Sequence, residues 1–130
     1  MTSRVLIVDD QESVTFNLER LFRRDGWSVR VASTTEQAMA SLRDETFDLL
    51  VCDLRLGAAV DGDTGLTVVR KARELSSEIV IVVLTAYSSE QSVEIATRSG
   101  AQRVLSKPLR LKDLLAVVHE LMAEPGPAQP

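Results

Sequence analysis

Four apolar runs in this 130-residue chain lead into residues that can do chemistry. Val5-Leu6-Ile7-Val8 ends on Asp9-Asp10, and Leu49-Leu50-Val51 is followed closely by Asp53. The run Ile79 to Leu84 meets Thr85-Ala86, and Arg103-Val104-Leu105 leads to Lys107-Pro108. An acid after a strand is often only a helix cap or a turn residue. Three acids, a hydroxyl and a lysine reaching one end of one sheet from four strands call for another reason. Two carboxylates about 4 Å apart repel by about 4 kcal/mol at an effective dielectric near 20. Three together must take up protons or attract a cation. Magnesium suits the task, because it is a hard ion that takes one or two carboxylates and keeps positions for water and phosphate oxygens. With Lys107 it would neutralise the three acids. Were Asp53 to become an acyl phosphate of charge about −2, that pair of cations would leave only about one net negative charge.

The elements that would carry these residues are legible in the same runs. Unbroken β-branched stretches at 5–8 and 79–84, with 49–51 beside them, read as strands covered on both faces, the mark of a parallel sheet. Val29, Val31 and the segment 103–105 are shorter and interleaved with polar residues, which places them at the sheet edges. Between the strands the period is helical. Val14, Leu18, Leu21 and Phe22 form one stripe, which Gly26 is placed to end. Thr34 and Gln37 resemble a capping box ahead of Ala38 and Leu42. Leu66, Val69, Ala72 and Leu75 form a third stripe, and Leu111, Leu114, Leu115, Val118 and Leu121 the last. The stretch from Ser88 to Ser99, closed by Gly100, has only Val93, Ile95 and Ala96 to bury, which predicts the most loosely held helix. Five βα units in series predict an α/β, doubly wound, five-stranded parallel sheet. In such folds the functional crevice lies at the carboxyl ends of the strands, where the acids, Thr85 and Lys107 collect.

Composition narrows the partners. A chain that is 45% apolar and 26% charged fits one ordinary globular domain. Its net charge of −4, 4% aromatic content and lack of any long basic run argue against direct nucleic-acid binding. No window approaches the roughly 20 apolar residues of a membrane helix, and the opening MTSRVLIVDD meets two acids too soon for a secretory signal. One cysteine permits no internal disulfide, so a cytoplasmic location is the expectation. The expected domain is 1–123. The closing EPGPAQP, residues 124–130, reads as a proline-rich tail or the start of a linker.

Taken together, VLIVDD, DLLVCDL, TGLTVVRKAR, VLTAYS and GAQRVLSKP resemble the receiver domain of two-component response regulators, over roughly residues 3 to 123. The resemblance implies a flavodoxin-like (βα)5 fold with strand order 2-1-3-4-5. It implies Asp53 as phosphoacceptor and Mg²⁺ held by Asp10, Asp53 and the backbone carbonyl of Arg55, with Asp9 helping through water. Thr85 and Lys107 would contact the phosphoryl group. The implied role is a phosphoacceptor that assists its own phosphorylation and dephosphorylation, not a turnover enzyme. The implied partners are a sensor histidine kinase or phosphotransfer protein and a downstream effector domain or protein, with a homodimer left open. A Lys107-Pro108 bond in such a position is expected to be cis.

The chain departs from that family in two places. The stretch DLRLGAAVDGDTGL lacks the usual Met-Pro pair and, with Gly65-Leu66 aligned, is about four residues longer. A surface insertion is the simplest reading. Gating of the site and partner choice are the functional ones, with Asp61 and Asp63 as extra ligands less favoured than Asp63 as a helix cap. Val104 stands where receivers often carry Phe or Tyr, and Tyr87 lies two residues past Thr85. Valine is too small and stiff to report the usual aromatic swing. Cys52 and Trp27 read as packing residues and His119 as a surface or flank residue. Arg20, Arg23 and Arg24 suit the end of a helix dipole, or a basic docking patch. A second class of function is a receiver-shaped interaction module indifferent to phosphate, which Val104 and the long loop favour. A phosphatase would want D-x-D-x-T where this chain has DDQES, and a dinucleotide binder G-x-G-x-x-G.

Overall fold

The computed structural model describes residues 2–56, 64–86 and 88–123. The expectations for Asp61, Asp63, Tyr87 and the 124–130 tail fall outside them. Among the described residues the order is β1 (Arg4–Val8), α1 (Glu12–Arg24), β2 (Ser28–Ala32), α2 (Thr35–Asp44), β3 (Leu49–Asp53), α3 (Thr64–Leu75), β4 (Val80–Thr85), α4 (Glu90–Ser99), β5 (Arg103–Ser106) and α5 (Leu111–Ala123). The strands form one sheet, β2-β1-β3-β4-β5, with every pairing parallel. The two short interleaved runs are its edges, as expected.

Alternation along the central strands sends side chains to two cores. Leu6, Val8, Leu50, Cys52, Ile81 and Val83 pack under α2, α3 and α4 with Leu42, Val69 and Ala96. Val5, Ile7, Leu49, Val51, Val82 and Leu84 pack against α1 and α5 through Leu18, Phe22, Leu114, Val118 and Leu121. Burying both faces of these strands accounts for their unbroken apolar runs. Trp27 closes the second core, its ring edge-on to Phe22 at 5.6 Å. Cys52 is wholly buried, and burial pushes its thiol well above the ordinary range.

Three local expectations need correction. Leu75, the last residue of α3, is half exposed, and Val68 on the same face joins Val69 and Ala72 in the core instead. In α4 only Ala96 is buried, and Ile95 faces solvent. At α2 the Thr34 hydroxyl accepts from the Gln37 N–H, but the Gln37 side chain accepts from Ser33 and not from the cap residue itself. His119 is on the flank as expected. Its Nε2 also lies 2.7 Å from Asp25 Oδ2, which ties α5 to the end of α1.

Candidate functional site

Parallel strands of matched register bring their carboxyl ends to one level. Val8 pairs with Cys52, Asp53 with Leu84, and Thr85 with Ser106. Asp9 and Asp10 leave β1 there, Asp53 and Thr85 are the last residues of β3 and β4, and Lys107 directly follows β5. The Lys107 N–H donates to the Thr85 carbonyl at 2.8 Å, and the next peptide, Lys107-Pro108, is cis.

Lys107 Nζ is the centre of the cluster. It donates to Asp9 Oδ2 at 2.8 Å, to Asp53 Oδ2 at 3.2 Å and to Gln11 Oε1 at 3.3 Å. Asp9 is 1% exposed and also accepts the Gln11 N–H at 2.9 Å. Asp53, 8% exposed, accepts the Arg55 N–H at 3.3 Å. Asp10 is exposed, so the three acids are not equally desolvated. Oxygen atoms from Asp9, Asp10 and Asp53 nevertheless lie within 4.8 Å of one another. Thr85 is buried at the same rim.

Among the described residues, the Lys107 ammonium bonds two of three clustered carboxylates. Burial, and then the charge of Asp9, push the Asp53 carboxyl above its ordinary value despite the pull of Lys107. Burial also disfavours the charged Lys107, but the bonds and charges of Asp9 and Asp53 outweigh it and raise the ammonium above its usual range. Hard oxygen donors with surplus negative charge fit a small divalent cation. A nucleophilic carboxylate beside a fixed ammonium can receive an electrophilic phosphoryl group.

Gln11 is the member of this cluster that sequence reasoning missed. Its signal was a glutamine directly after the acid pair, at a helix start where Ser, Thr, Asp or Asn would cap better. Beside it a hollow of about 520 Å³ opens between α1 and α5, with Val14, Leu18, Lys107 and Leu111 in its walls. Val104 is partly buried against the α3–α4 core.

Residues 5–119 match the family of the response regulator receiver domain. Over 119 residues the chain is 34% identical to the transcriptional regulatory protein ZraR of Escherichia coli K12, covering 92% of this chain and 26% of that one. It therefore spans about a quarter of the length of that curated relative. The non-phosphorylated HemR receiver domain of Leptospira biflexa superposes with a TM-score of 0.86 at 27% identity, covering 98% of this chain and 100% of that one. A response regulator protein from Burkholderia pseudomallei, solved with a phosphorylated aspartic acid, a calcium ion and citrate, superposes with a TM-score of 0.80 at 29% identity, over 95% and 75% of the two chains.

Proposed function

Since the chain belongs to the response regulator receiver domain family, we propose that it is a phosphoacceptor switch of a two-component system with Asp53 as the acceptor. The observation that carries the reading is the position of Asp53, buried within reach of Lys107 and beside two further carboxylates. The phosphorylated aspartic acid and calcium ion of the similar Burkholderia protein support it. Residues 1–123 are the receiver unit of this proposal, with 124–130 a tail or the start of a linker, and its place of work is the cytoplasm.

An Asp53 carboxylate oxygen attacks phosphorus in line. The new O–P bond forms as the donor's N–P bond breaks. The electron pair stays on the histidine nitrogen of the sensor kinase or phosphotransfer protein. Lys107 meets the charge of the arriving group with its fixed ammonium, and the buried Thr85 hydroxyl supplies a neutral donor at the rim. Asp9, Asp10, Asp53 and the Arg55 carbonyl would hold Mg²⁺, which when bound supplies the positive charge that makes a phosphoryl group tolerable among carboxylates. The chain assists its own phosphorylation and dephosphorylation and passes the signal to an effector domain or protein. Val104 favours a second reading, a phosphate-indifferent interaction module, because it leaves no aromatic ring at that position to swing.

Incubation with acetyl phosphate and Mg²⁺ should add one hydroxylamine-labile phosphoryl group at Asp53, read by mass spectrometry. Asp53→Asn should abolish it, an amide being no nucleophile at phosphorus. Labelling that survives this substitution would move the assignment elsewhere.

A further inference from the structure

Gln11 occupies the N-cap of α1, with backbone φ −89° and ψ 113°, yet its side chain makes no cap bond. The helix start is served instead by its carbonyl, which accepts from the Val14 and Thr15 N–H groups at 3.1 Å each. The residue therefore does the capping with its backbone and has its amide free for another use. That amide accepts from Lys107 Nζ at 3.3 Å, while the Gln11 N–H holds the Asp9 carboxylate at 2.9 Å. An ammonium has three N–H donors. Here two are directed at the charged carboxylates of Asp9 and Asp53, and the third goes to a neutral oxygen at the longest distance of the three.

We propose that Gln11 is a positioning residue that holds the third N–H of Lys107 in reserve and yields it to the phosphoryl group when Asp53 is phosphorylated. This inference rests on the phosphoacceptor reading above. As the phosphoryl group arrives, the ammonium must release one acceptor to reach it. A bond to a neutral oxygen is weaker than one to a carboxylate, so Gln11 is the acceptor released. A contact made in the resting state and lost in the transition state slows the step, and its removal speeds it. A carboxylate at the same place would hold Lys107 harder and repel the incoming group.

The test follows acetyl phosphate labelling of Asp53 in the wild type and in Gln11→Ala, Gln11→Asn and Gln11→Glu. Asn is too short to repeat the Gln11 contact with Lys107 but caps helices better than Gln or Ala. The two truncations should therefore shift thermal stability differently and yet both label about three- to tenfold faster, the loss of one long ammonium-to-amide hydrogen bond. Gln11→Glu should label about tenfold more slowly. A second readout needs no metal. The Lys107 ammonium signal in ¹⁵N NMR should exchange with water faster in the Ala and Asn variants and more slowly in the Glu variant. Equal labelling rates in the wild type and both truncations, with the wild type labelled at Asp53, would overturn the role of Gln11 alone. A wild type that takes no label at Asp53 would overturn the phosphoacceptor reading, and this inference with it.

Discussion

At the amino ends of β4 and β5 a single cation is surrounded by neutral acceptors. Arg73 donates to the carbonyls of Ser76, Ser77 and Gly100 and to the Gln102 side chain, at 2.8–3.3 Å. Gln102 in turn accepts the Ile81 N–H at 2.7 Å and donates to the Ile79 carbonyl. Gly100, at φ +127°, lies so close that a Cβ would stand 3.0 Å from the Arg73 stem. At the carboxyl ends the Lys107 ammonium bonds two of three clustered carboxylates, and the Asp53 carboxyl is pushed up by burial and by Asp9. One end meets its charge with several neutral dipoles, and the other gathers like charges close enough to raise the Asp53 carboxyl. A partly buried charge served by several dipoles helps hold the fold together. A surplus of one sign waits for a ligand, which is how a protein stores stability it can recover on binding.

Helix α3 joins the two ends, so it offers the sharpest way to break the contrast. Its first turn presses on β3 at Gly65, whose N–H donates to the Leu54 carbonyl at 3.0 Å. A Cβ there would lie 2.1 Å from the Asp53 carbonyl oxygen and 2.7 Å from that of Leu54. Both are backbone atoms that cannot turn aside, so α3 or the end of β3 must move. Gly65→Ala should cost about 3 kcal/mol in urea unfolding, at the upper end of ordinary overpacking. It should also cut acetyl phosphate labelling, because the displaced backbone carries Asp53.

The opposite end should respond in stability alone. Arg73→Ala leaves three carbonyls and Gln102 without their donor and should cost about 2 kcal/mol, the scale of a charged hydrogen bond. The rate of labelling at Asp53 should stay that of the wild type, as should the gain in Tm on adding Mg²⁺. Arg73→Lys should recover only part of the loss, since a point ammonium cannot span four acceptors on two segments as a planar fork does. A fall in labelling with Arg73→Ala would mean that the two ends are coupled.

Much of this contrast was legible in the residues, though unevenly. The apolar runs announced the strands and the acids at their ends announced the site, because parallel register forces strand ends to one level. Composition could not give the register that brings Lys107 to Asp9, 98 positions apart, nor the lone exposure of Asp10 among the three acids. The amphipathic stripe of α3 was readable, but Val68 and Leu75 share one face of that helix, and only the position of Leu75 as its last residue leaves it half exposed. Arg73 and Gln102 were silent because an arginine on a polar helix face looks like any solvated charge until the carbonyls around it are placed. Gln11 was passed over for the same reason, a neutral side chain whose role depends on where a distant lysine points.

The smallest expected effect concerns the sign of the surplus at the carboxyl ends. Because the folded protein holds the Asp53 proton above the ordinary carboxylate value, the native state binds more protons than the unfolded chain between those two values. Stability of the metal-free protein should therefore fall as pH rises from the ordinary carboxylate range through the raised Asp53 value, and then stay at the lower level. Lys107 does not offset this fall, because its raised value contributes a stabilisation that is constant until the alkaline range, where it is lost. Asp53→Asn removes the repelled charge while keeping an oxygen for the Arg55 N–H. In chelator-treated buffer at neutral pH it should raise Tm by a few degrees, and the gain should shrink toward zero as pH drops below the ordinary carboxylate range. Magnesium should stabilise the wild type far more than the variant, narrowing or reversing the difference. Thermal melts across pH, with and without the metal, measure all three slopes. If Asp53→Asn instead melts lower at neutral pH without metal, the Lys107–Asp53 attraction exceeds the cost of burial and of Asp9, and the carboxyl ends are as fully compensated as the Arg73 end.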